Sequence, residues 1–212
     1  PSPQTIVDVG AGIGLFLEEA SKLNEALRLR AVEPGRDAAR ACREKGFETY
    51  EGFARDAAGE ASWRGDGDLV VSFEVIEHLA EPEFFIRELA DLCKPGGLIL
   101  VSGLCGDGFD IQVLGERANA ISPPHHLTFL SQTGVRALFE RCEMEILSFE
   151  TPGQLDVQIV ARALKADDKA VSDPDLRRLL LEADETERAA FQASLVEQRK
   201  SSHMWILAKR SI

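Results

Sequence analysis

The stretch from residue 5 to residue 16 constrains the fold of this chain more than any other. It begins with Ile6, Val7 and Val9, an apolar and β-branched run that is typical of a buried parallel strand. Glycines then alternate with other residues at positions 10, 12 and 14, and apolar residues resume at helical spacing from Leu15. The order strand, glycine turn, helix predicts the opening unit of a doubly wound α/β sheet.

The spacing of these glycines, and the acid beside them, indicate the kind of ligand. A dinucleotide-binding turn has the spacing Gly-x-Gly-x-x-Gly, whereas this turn has Gly-x-Gly-x-Gly. The carboxylate of Asp8, two residues before Gly10, would repel a pyrophosphate. The turn therefore favours a cationic ligand that also carries sugar hydroxyls.

These residues resemble the first motif of the class I S-adenosylmethionine-dependent methyltransferases, an acidic strand followed by three alternating glycines. The resemblance implies S-adenosyl-L-methionine as the cofactor and S-adenosyl-L-homocysteine as the product. It places five residues against that cofactor: Asp8, Gly10, Ala11, Gly12 and Gly14.

Length, charge and cysteine content limit the classes of function. A chain of 212 residues suits a single methyltransferase domain over residues 1–212. The net charge of −12 argues against broad affinity for nucleic acid or for an anionic membrane. No apolar stretch approaches the ~20 residues of a membrane span, and the four cysteines form no Cys-x-x-Cys pair. We therefore expect a cytoplasmic protein with reduced thiols, either a monomer or a homodimer.

Residues 27–34 are predicted to form the second strand, which ends near Glu33. This acid follows Gly14 by 19 residues, about where open α/β folds place a carboxylate on the hydroxyls of a ribose. The resembled family uses it in this way, and we assign the same role to Glu33. A helix over residues 36–45 and a third strand over residues 47–50 should follow. In the family the next turn borders the adenine, so Phe53 either packs against the base or belongs to the core.

The fourth strand, over residues 68–75, runs into a second recognisable segment at residues 73–79. This segment resembles the small-molecule branch that includes quinone-biosynthesis O-methyltransferases, and it adds Phe73 and Glu74 to the expected cofactor contacts. If residues 74–78 form a helical turn, Glu74 shares a face with Glu77 and His78. In one interpretation Glu74 and His78 line the methionine end of the cofactor, and His78 holds the turn by hydrogen bonds.

A second interpretation of the same segment is a divalent-metal site. Its ligands would be Glu74, Glu77, His78 and a later histidine, His125 or His126, as in the Mg²⁺-dependent small-RNA 2′-O-methyltransferases that this pattern also resembles. Mg²⁺ is usually satisfied by oxygen ligands and water, so two imidazoles point to a softer ion. We favour the interpretation without a metal.

The middle of the chain continues the alternation of helices and strands and then breaks it. We predict a helix over residues 83–94 with Pro82 in its first turn, a turn at residues 94–97, and a fifth strand over residues 98–102. Residues 103–124 are rich in glycine and proline and are predicted to be a loop with a short helix at residues 109–114. Loops at this edge of such a sheet commonly carry the substrate pocket.

Two adjacent histidines close that loop, ahead of a helix predicted over residues 132–142 with Ser131 as its N-cap. One of them is either a general base for the acceptor or a group that orients it. Alternatively, one bonds to the backbone and the other is solvated. Our candidate bases are His125, His126 and His78, in that order.

The carboxyl-terminal third should complete the sheet. We predict a sixth strand over residues 144–149, a helical insertion over residues 154–200, and a seventh strand over residues 203–210. In the resembled family the last strand is antiparallel to the others. The expected fold is an α/β, doubly wound, seven-stranded and mostly parallel Rossmann-like sheet, and the insertion could cover the pocket, form a dimer surface or thicken the fold.

The leading hypothesis is an S-adenosylmethionine-dependent methyltransferase that acts on a small-molecule acceptor, at an oxygen. One alternative is a metal-assisted 2′-O-methyltransferase acting on RNA, which the acidic charge disfavours. Another is a non-catalytic cofactor-binding protein of the same fold.

Overall fold

A mixed sheet of seven strands forms the centre of the computed structural model, which describes residues 3–211. The strands are β1 (Thr5–Val9), β2 (Arg28–Glu33), β3 (Glu48–Glu51), β4 (Gly67–Ser72), β5 (Cys93–Leu104), β6 (Met144–Glu150) and β7 (His203–Arg210). Their order is β3-β2-β1-β4-β5-β7-β6, and β7 runs antiparallel to both of its neighbours. The predicted fold class is confirmed.

Helices connect the strands and flank the sheet. They are α1 (Leu15–Leu23), α2 (Arg36–Glu44), α3 (Ala54–Gly59), α4 (Pro82–Leu92), α5 (Phe109–Leu114), α6 (Gln132–Arg141), α7 (Asp156–Ala166), α8 (Pro174–Glu182) and α9 (Glu185–Glu197). Short 3-10 turns lie at Ile76–His78 and Gly115–Arg117. Among the helices within residues 3–211, none combines the length and the apolar character needed to cross a bilayer.

Three local predictions were wrong. Strand β4 ends at Ser72 and not at residue 75, because Glu74 adopts a left-handed backbone with φ of 54° and leaves the sheet. The helical turn covers only Ile76–His78, so Glu74 does not share its face. Residues 94–97, predicted as a turn, lie within β5, which begins at Cys93 opposite Gly67.

The apolar core is divided by the sheet. The largest cluster lies between the sheet and helices α3, α4 and α6, while a smaller one lies under α1 on the opposite face. A third cluster joins α5 to helices α7–α9 of the insertion. All four cysteines are buried and free.

The insertion is fastened to the sheet by a buried carboxylate. Asp156 accepts hydrogen bonds from the Ser202 backbone N–H, the Ser201 hydroxyl and the Gln192 amide, each at 2.7 Å. Since Ser201 and Ser202 lead directly into β7, this network fixes the insertion above the carboxyl edge of the parallel strands.

Candidate active site

The glycine turn after β1 needs its glycines for two different reasons. Gly10, Gly12 and Gly14 all have left-handed φ angles, of 77°, 54° and 76°. At Gly10 there is also no room, since a Cβ would lie 2.6 Å from the Val75 side chain. A Cβ on Gly12 would meet no atom within 4 Å. The turn therefore packs against the segment after β4 at Gly10 and offers open backbone at Gly12.

Glu33, at the end of β2, fastens this turn. One of its carboxylate oxygens accepts the Gly12 backbone N–H at 2.8 Å, and the other accepts that of Gly35 at 2.7 Å. Each oxygen keeps a second lone pair that a ribose hydroxyl could use. Sequence reasoning located this acid but missed its contact with the turn.

Asp8 lies beneath the turn, not in the wall of the adjoining cleft. It is only 2% exposed, and burial, reinforced by the charge of Glu33, raises its pKa from 3.8 to about 7. Cys42 closes the same region from α2, where its thiol donates to the Gly12 carbonyl at 3.2 Å. Burial, followed by the charge of Asp8, raises the pKa of this thiol.

A cleft of about 530 Å³ opens beside the turn. The ends of β1 and β2, the start of α3 and the start of α4 form its walls. Its lining includes Gly10, Glu33, Phe53, Val75, Leu79 and Phe84. Phe53 and Phe84 are 54% and 62% exposed, so two aromatic rings are available to an apolar ligand. Of the two roles considered for Phe53, the cleft position agrees with contact to a base.

Two other predicted cofactor contacts, Phe73 and Glu74, are not among the residues that line this cleft. The ring of Phe73 packs against Phe16 of α1, with 4.9 Å between centroids, and Ala11 belongs to the same apolar cluster. One oxygen of Glu74 accepts from the Ser102 hydroxyl at 2.6 Å, and the other lies 3.5 Å from Nδ1 of His203.

His203 was not among the predicted site residues. It begins β7, which is antiparallel to β5, so it lies at the same edge of the sheet as the carboxyl ends of β4 and β5. The signal that could have found it is the predicted antiparallel last strand, which places a histidine at residue 203 on that edge.

The three candidate bases come together at this edge. The ring centroids of His78 and His126 are 4.8 Å apart, and His125 lies 5.2 Å from His78. Nδ1 of His78 lies 2.8 Å from the His125 carbonyl, and Nδ1 of His126 lies 2.6 Å from that of Ala120. Because a carbonyl can only accept, both Nδ1 atoms carry the proton and both Nε2 atoms are free in the neutral rings.

Glu77 lies beside these rings. It is 2% exposed, and its Oε2 has no hydrogen-bond partner among the described residues. Burial, and then the charge of Glu74, raises the pKa of Glu77. The ligand atoms of Glu77, His78 and His126 lie within 4.8 Å of one another.

This group differs from the metal site considered from the sequence. Of the two histidines considered as the later ligand, His126 belongs to the group, while His125 presents its backbone carbonyl to His78; Glu74, also considered, is turned towards Ser102. The donor set nevertheless fits a divalent ion that accepts nitrogen. It has one carboxylate and two imidazoles, and each imidazole donates its Nδ1–H to a backbone carbonyl, as metal-bound histidines usually do with their other nitrogen.

Comparisons with known proteins identify the family of this chain. A family model described as "Methyltransferase domain" matches residues 1–148. The chain is 36% identical over 104 residues to a ubiquinone biosynthesis O-methyltransferase of Caulobacter vibrioides, a match that covers 47% of this chain and 40% of that protein. A protein of the same name from Xanthomonas oryzae is 27% identical over 153 residues, covering 66% and 62%. The chain thus spans about two fifths of the length of the first of these relatives.

Solved structures share the fold at low identity. An O-methyltransferase from a trans-AT polyketide synthase multienzyme of Brevibacillus brevis, in complex with S-adenosyl-L-homocysteine, has a TM-score of 0.59 at 14% identity, covering 99% of this chain and 67% of that one. A cyclopropane synthase from Mycobacterium tuberculosis has a TM-score of 0.60 at 13% identity, covering 98% and 78%. Because the family model matches 148 of the 212 residues, the chain belongs to the methyltransferase domain family.

Proposed function

We propose that this chain is an S-adenosyl-L-methionine-dependent methyltransferase that methylates an oxygen of a small-molecule acceptor. The observation that carries the proposal is the hydrogen bond that Glu33 accepts from the glycine turn beside the cleft. Open backbone at Gly12, a fixed carboxylate and two exposed aromatic rings together suit a sulfonium nucleoside better than a phosphate chain.

Each part of the cleft has a role in this proposal. Glu33 receives the ribose hydroxyls through its remaining lone pairs, and Phe53 contacts the adenine. When bound, S-adenosyl-L-methionine supplies a methyl group on a positively charged sulfur. Glu33 places negative charge in the wall of the cleft, which attracts the cation. The buried parts of the walls exclude water, which favours a reaction in which charge is lost.

Methyl transfer is an in-line displacement, so the chain must hold the acceptor oxygen about 3–3.5 Å from the methyl carbon and opposite the sulfur. The acceptor hydroxyl must also lose its proton. The sequence-based candidates for that step are His125, His126 and His78, and they remain predictions. In His78 and His126 the free Nε2 has the form that a proton acceptor requires.

A divalent ion is the less favoured addition. If one binds, Glu77, His78 and His126 would hold it, and it would lower the pKa of a coordinated hydroxyl. These are the same atoms that the base hypothesis uses, so metal dependence can be tested directly.

The nature of the acceptor is inferred from the relatives and from charge. The curated relatives are named for ubiquinone biosynthesis and O-methylation, which supports a small hydroxylated acceptor. The net charge of −12 disfavours an RNA substrate. The buried, reduced cysteines are compatible with the cytoplasmic location that we also propose.

Binding calorimetry with S-adenosyl-L-homocysteine tests the cofactor, and tritium transfer from labelled S-adenosyl-L-methionine to a panel of phenols, catechols and short quinols tests the reaction. We expect saturable binding and transfer that EDTA leaves unchanged. Transfer restored only by Mn²⁺ or Mg²⁺ would replace the base hypothesis by the metal one. Binding without transfer to any acceptor would support the non-catalytic alternative, and tighter binding of NAD would overturn the proposal.

A further inference from the structure

An aromatic cluster with two half-buried rings and one exposed ring lies beside the glycine turn, on the α1 side of the sheet. It consists of Phe16, Phe73 and Trp205, and we name it the Trp205 shelf. Phe73 lies 4.9 Å from Phe16 and 6.2 Å from Trp205 between ring centroids. Trp205 is 43% exposed although it lies on β7, inside the sheet between β5 and β6.

The position of Trp205 follows from the register of β7. Met204 and Ile206 point into the core under α4 and α6, so His203 and Trp205 project from the other face. Trp205 pairs with Ser102 of β5, whose hydroxyl holds Glu74. The shelf therefore ends at a polar pair, the Glu74 carboxylate and the His203 imidazole, which are 3.5 Å apart.

This polar pair is connected to the proposed cofactor site. Glu74 directly precedes Val75, which lines the cleft and limits the space at Gly10. With the left-handed backbone of Glu74, at φ of 54°, its side chain lies against Ser102 and His203. Strained backbone of this kind persists where the surroundings fix it, and here Ser102 accepts the Glu74 N–H at 3.2 Å.

We propose that the methyl acceptor binds on the Trp205 shelf, with a planar apolar body against Trp205 and Phe73 and its hydroxyl at His203 and Glu74. The inference rests on the proposed function and adds to it an acceptor site and a class of acceptor. Planar rings suit the shelf because aromatic side chains pair with other rings in offset or edge-on contact. Ile13 and Leu15, on either side of Gly14 in the turn, are also exposed apolar side chains.

The proposed step is balanced in atoms and charge. The acceptor O–H proton passes to Nε2 of His203, and the oxygen lone pair forms the new bond to the methyl carbon. The carbon–sulfur bond breaks, and its electron pair remains on sulfur as a neutral thioether. The Glu74 carboxylate stabilises the resulting imidazolium of His203. In this assignment His78 and His126 hold the loop and do not take the proton.

The first test detects binding without requiring turnover. The chain has two tryptophans, Trp63 and Trp205, so its ¹H–¹⁵N spectrum contains two indole signals. Phenol, added in the presence of S-adenosyl-L-homocysteine, should shift the Trp205 signal and leave the Trp63 signal unchanged, whereas cyclohexanol should shift neither. Trp205→Phe identifies the signal and keeps an aromatic face. Equal shifts with phenol and cyclohexanol, or a shift confined to Trp63, would overturn the proposal.

The second test uses the transfer assay with the acceptor of the panel that is turned over fastest. Trp205→Ala, or Trp205→Leu if the alanine variant does not fold, should raise the acceptor KM about tenfold through lost aromatic contact. His203→Asn should lower kcat on the order of 100-fold, as expected for loss of a proton acceptor. Affinity for S-adenosyl-L-homocysteine should stay unchanged in both. Leu147→Ala is the matched control, since Leu147 is 48% exposed on neighbouring β6.

The outcomes separate this inference from the function on which it rests. If the wild-type protein neither binds S-adenosyl-L-homocysteine nor transfers methyl groups, the proposed function fails. If it does both, but Trp205 and His203 variants match the wild type while His126→Asn abolishes transfer, only the shelf assignment fails. A Trp205 signal that depends on protein concentration and is insensitive to phenol would show a second copy of the chain on the shelf, and would also overturn it.

Discussion

One carboxylate oxygen of Glu33 lies 2.8 Å from the backbone nitrogen of Gly12, which joins the end of β2 to the turn after β1. The other oxygen accepts the N–H of Gly35, ahead of α2. The acid that sequence reasoning assigns to a ribose therefore also sets the position of the backbone against which the nucleoside would lie. Binding and loop order depend on the same side chain.

Replacing this acid should weaken cofactor binding. In Glu33→Gln one oxygen becomes an NH₂ group that cannot accept an N–H, so either Gly12 or Gly35 loses its partner. Hydrogen bonds to charged groups contribute about 1.5–3 kcal/mol, so we expect affinity for S-adenosyl-L-homocysteine to fall roughly 10- to 100-fold in calorimetry. The control is Glu51→Gln, at the position of β3 paired with Glu33 and exposed to solvent. Equal losses in both variants would contradict the role given to Glu33.

A fully buried arginine in the middle of β2 should stabilise the fold. Arg30 is 0% exposed, its guanidinium contacts Glu48 at 2.5 Å and Asp66 at 2.8 Å, and it lies 3.5 Å above the Trp63 ring. In Arg30→Lys the planar fork is lost, so a single buried cation no longer bridges both carboxylates. We expect the free energy of unfolding in urea to fall by about 3 kcal/mol.

Arg28 provides the matched comparison, because it contacts the same two carboxylates from the surface, with half of its side chain exposed. Arg28→Lys should cost less than about 1 kcal/mol. If the two substitutions cost the same, burial is not what makes the Arg30 network important.

The raised pKa of Asp8 predicts how stability depends on pH. Its pKa is about 7 in the folded chain and near 3.8 when exposed, because burial and then Glu33 disfavour the charged form. Between these values the folded state holds a proton that the unfolded state has lost, so the free energy of unfolding decreases as pH rises from about 4 to about 7. Asp8→Asn cannot ionise and should lose this slope, and it should be more stable than the wild type at pH 8.

Asp68 should make the free energy of unfolding depend on pH in the opposite direction. Urea unfolding at a series of pH values measures both dependences. Lys94 holds the pKa of Asp68 below 3.8, with help from the backbone N–H groups of Thr5 and Gln4. Its contribution is present above pH 3.8 and is lost as the pH falls below that value, so Asp68→Asn should be less stable at pH 7. A parallel response of the Asp8 and Asp68 variants would show that general acidity of the chain, and not each local environment, sets the pH dependence.

Most elements of this fold could be predicted because their signals are local. Pro82 and Ser131 mark helix starts through capping chemistry that spans a few residues, and the structure places a helix at each of them. Strand β7 has the predicted bounds, and its residues 204–208 form a continuous apolar run that is visible in the sequence.

The parts of the site that escaped prediction depend on contacts distant in sequence. The left-handed backbone of Glu74 is fixed by Ser102, and its partner His203 lies at the far end of the chain. Which histidine of the pair 125–126 joins Glu77 depends on the Ala120 carbonyl, which lies in a loop without periodicity. The periodicity of a helix or a strand in the sequence carries no information about contacts between residues that are distant in the chain.

The contact between Gly10 and Val75 allows a last prediction that separates steric crowding from backbone strain. Gly10→Ala places a methyl group 2.6 Å from the Val75 side chain at a φ of 77°. We expect it to lower the free energy of unfolding by roughly 1–3 kcal/mol and to weaken binding of S-adenosyl-L-homocysteine, since the turn must move away from the segment after β4. Adding Val75→Ala removes the obstructing atom and should recover part of the loss, about 1 kcal/mol in a double-mutant cycle.

Gly12→Ala is the control that separates backbone strain from steric crowding. It imposes a similar left-handed φ, of 54°, but its methyl group would meet no atom within 4 Å. Its cost should therefore be that of the backbone alone, and Val75→Ala should recover none of it. If Val75→Ala restores the stability of both alanine variants equally, the substitution acts by loosening the cleft in general and not by removing one steric clash. If it rescues neither, the close packing of the turn against the segment after β4 does not determine how the cofactor region is built.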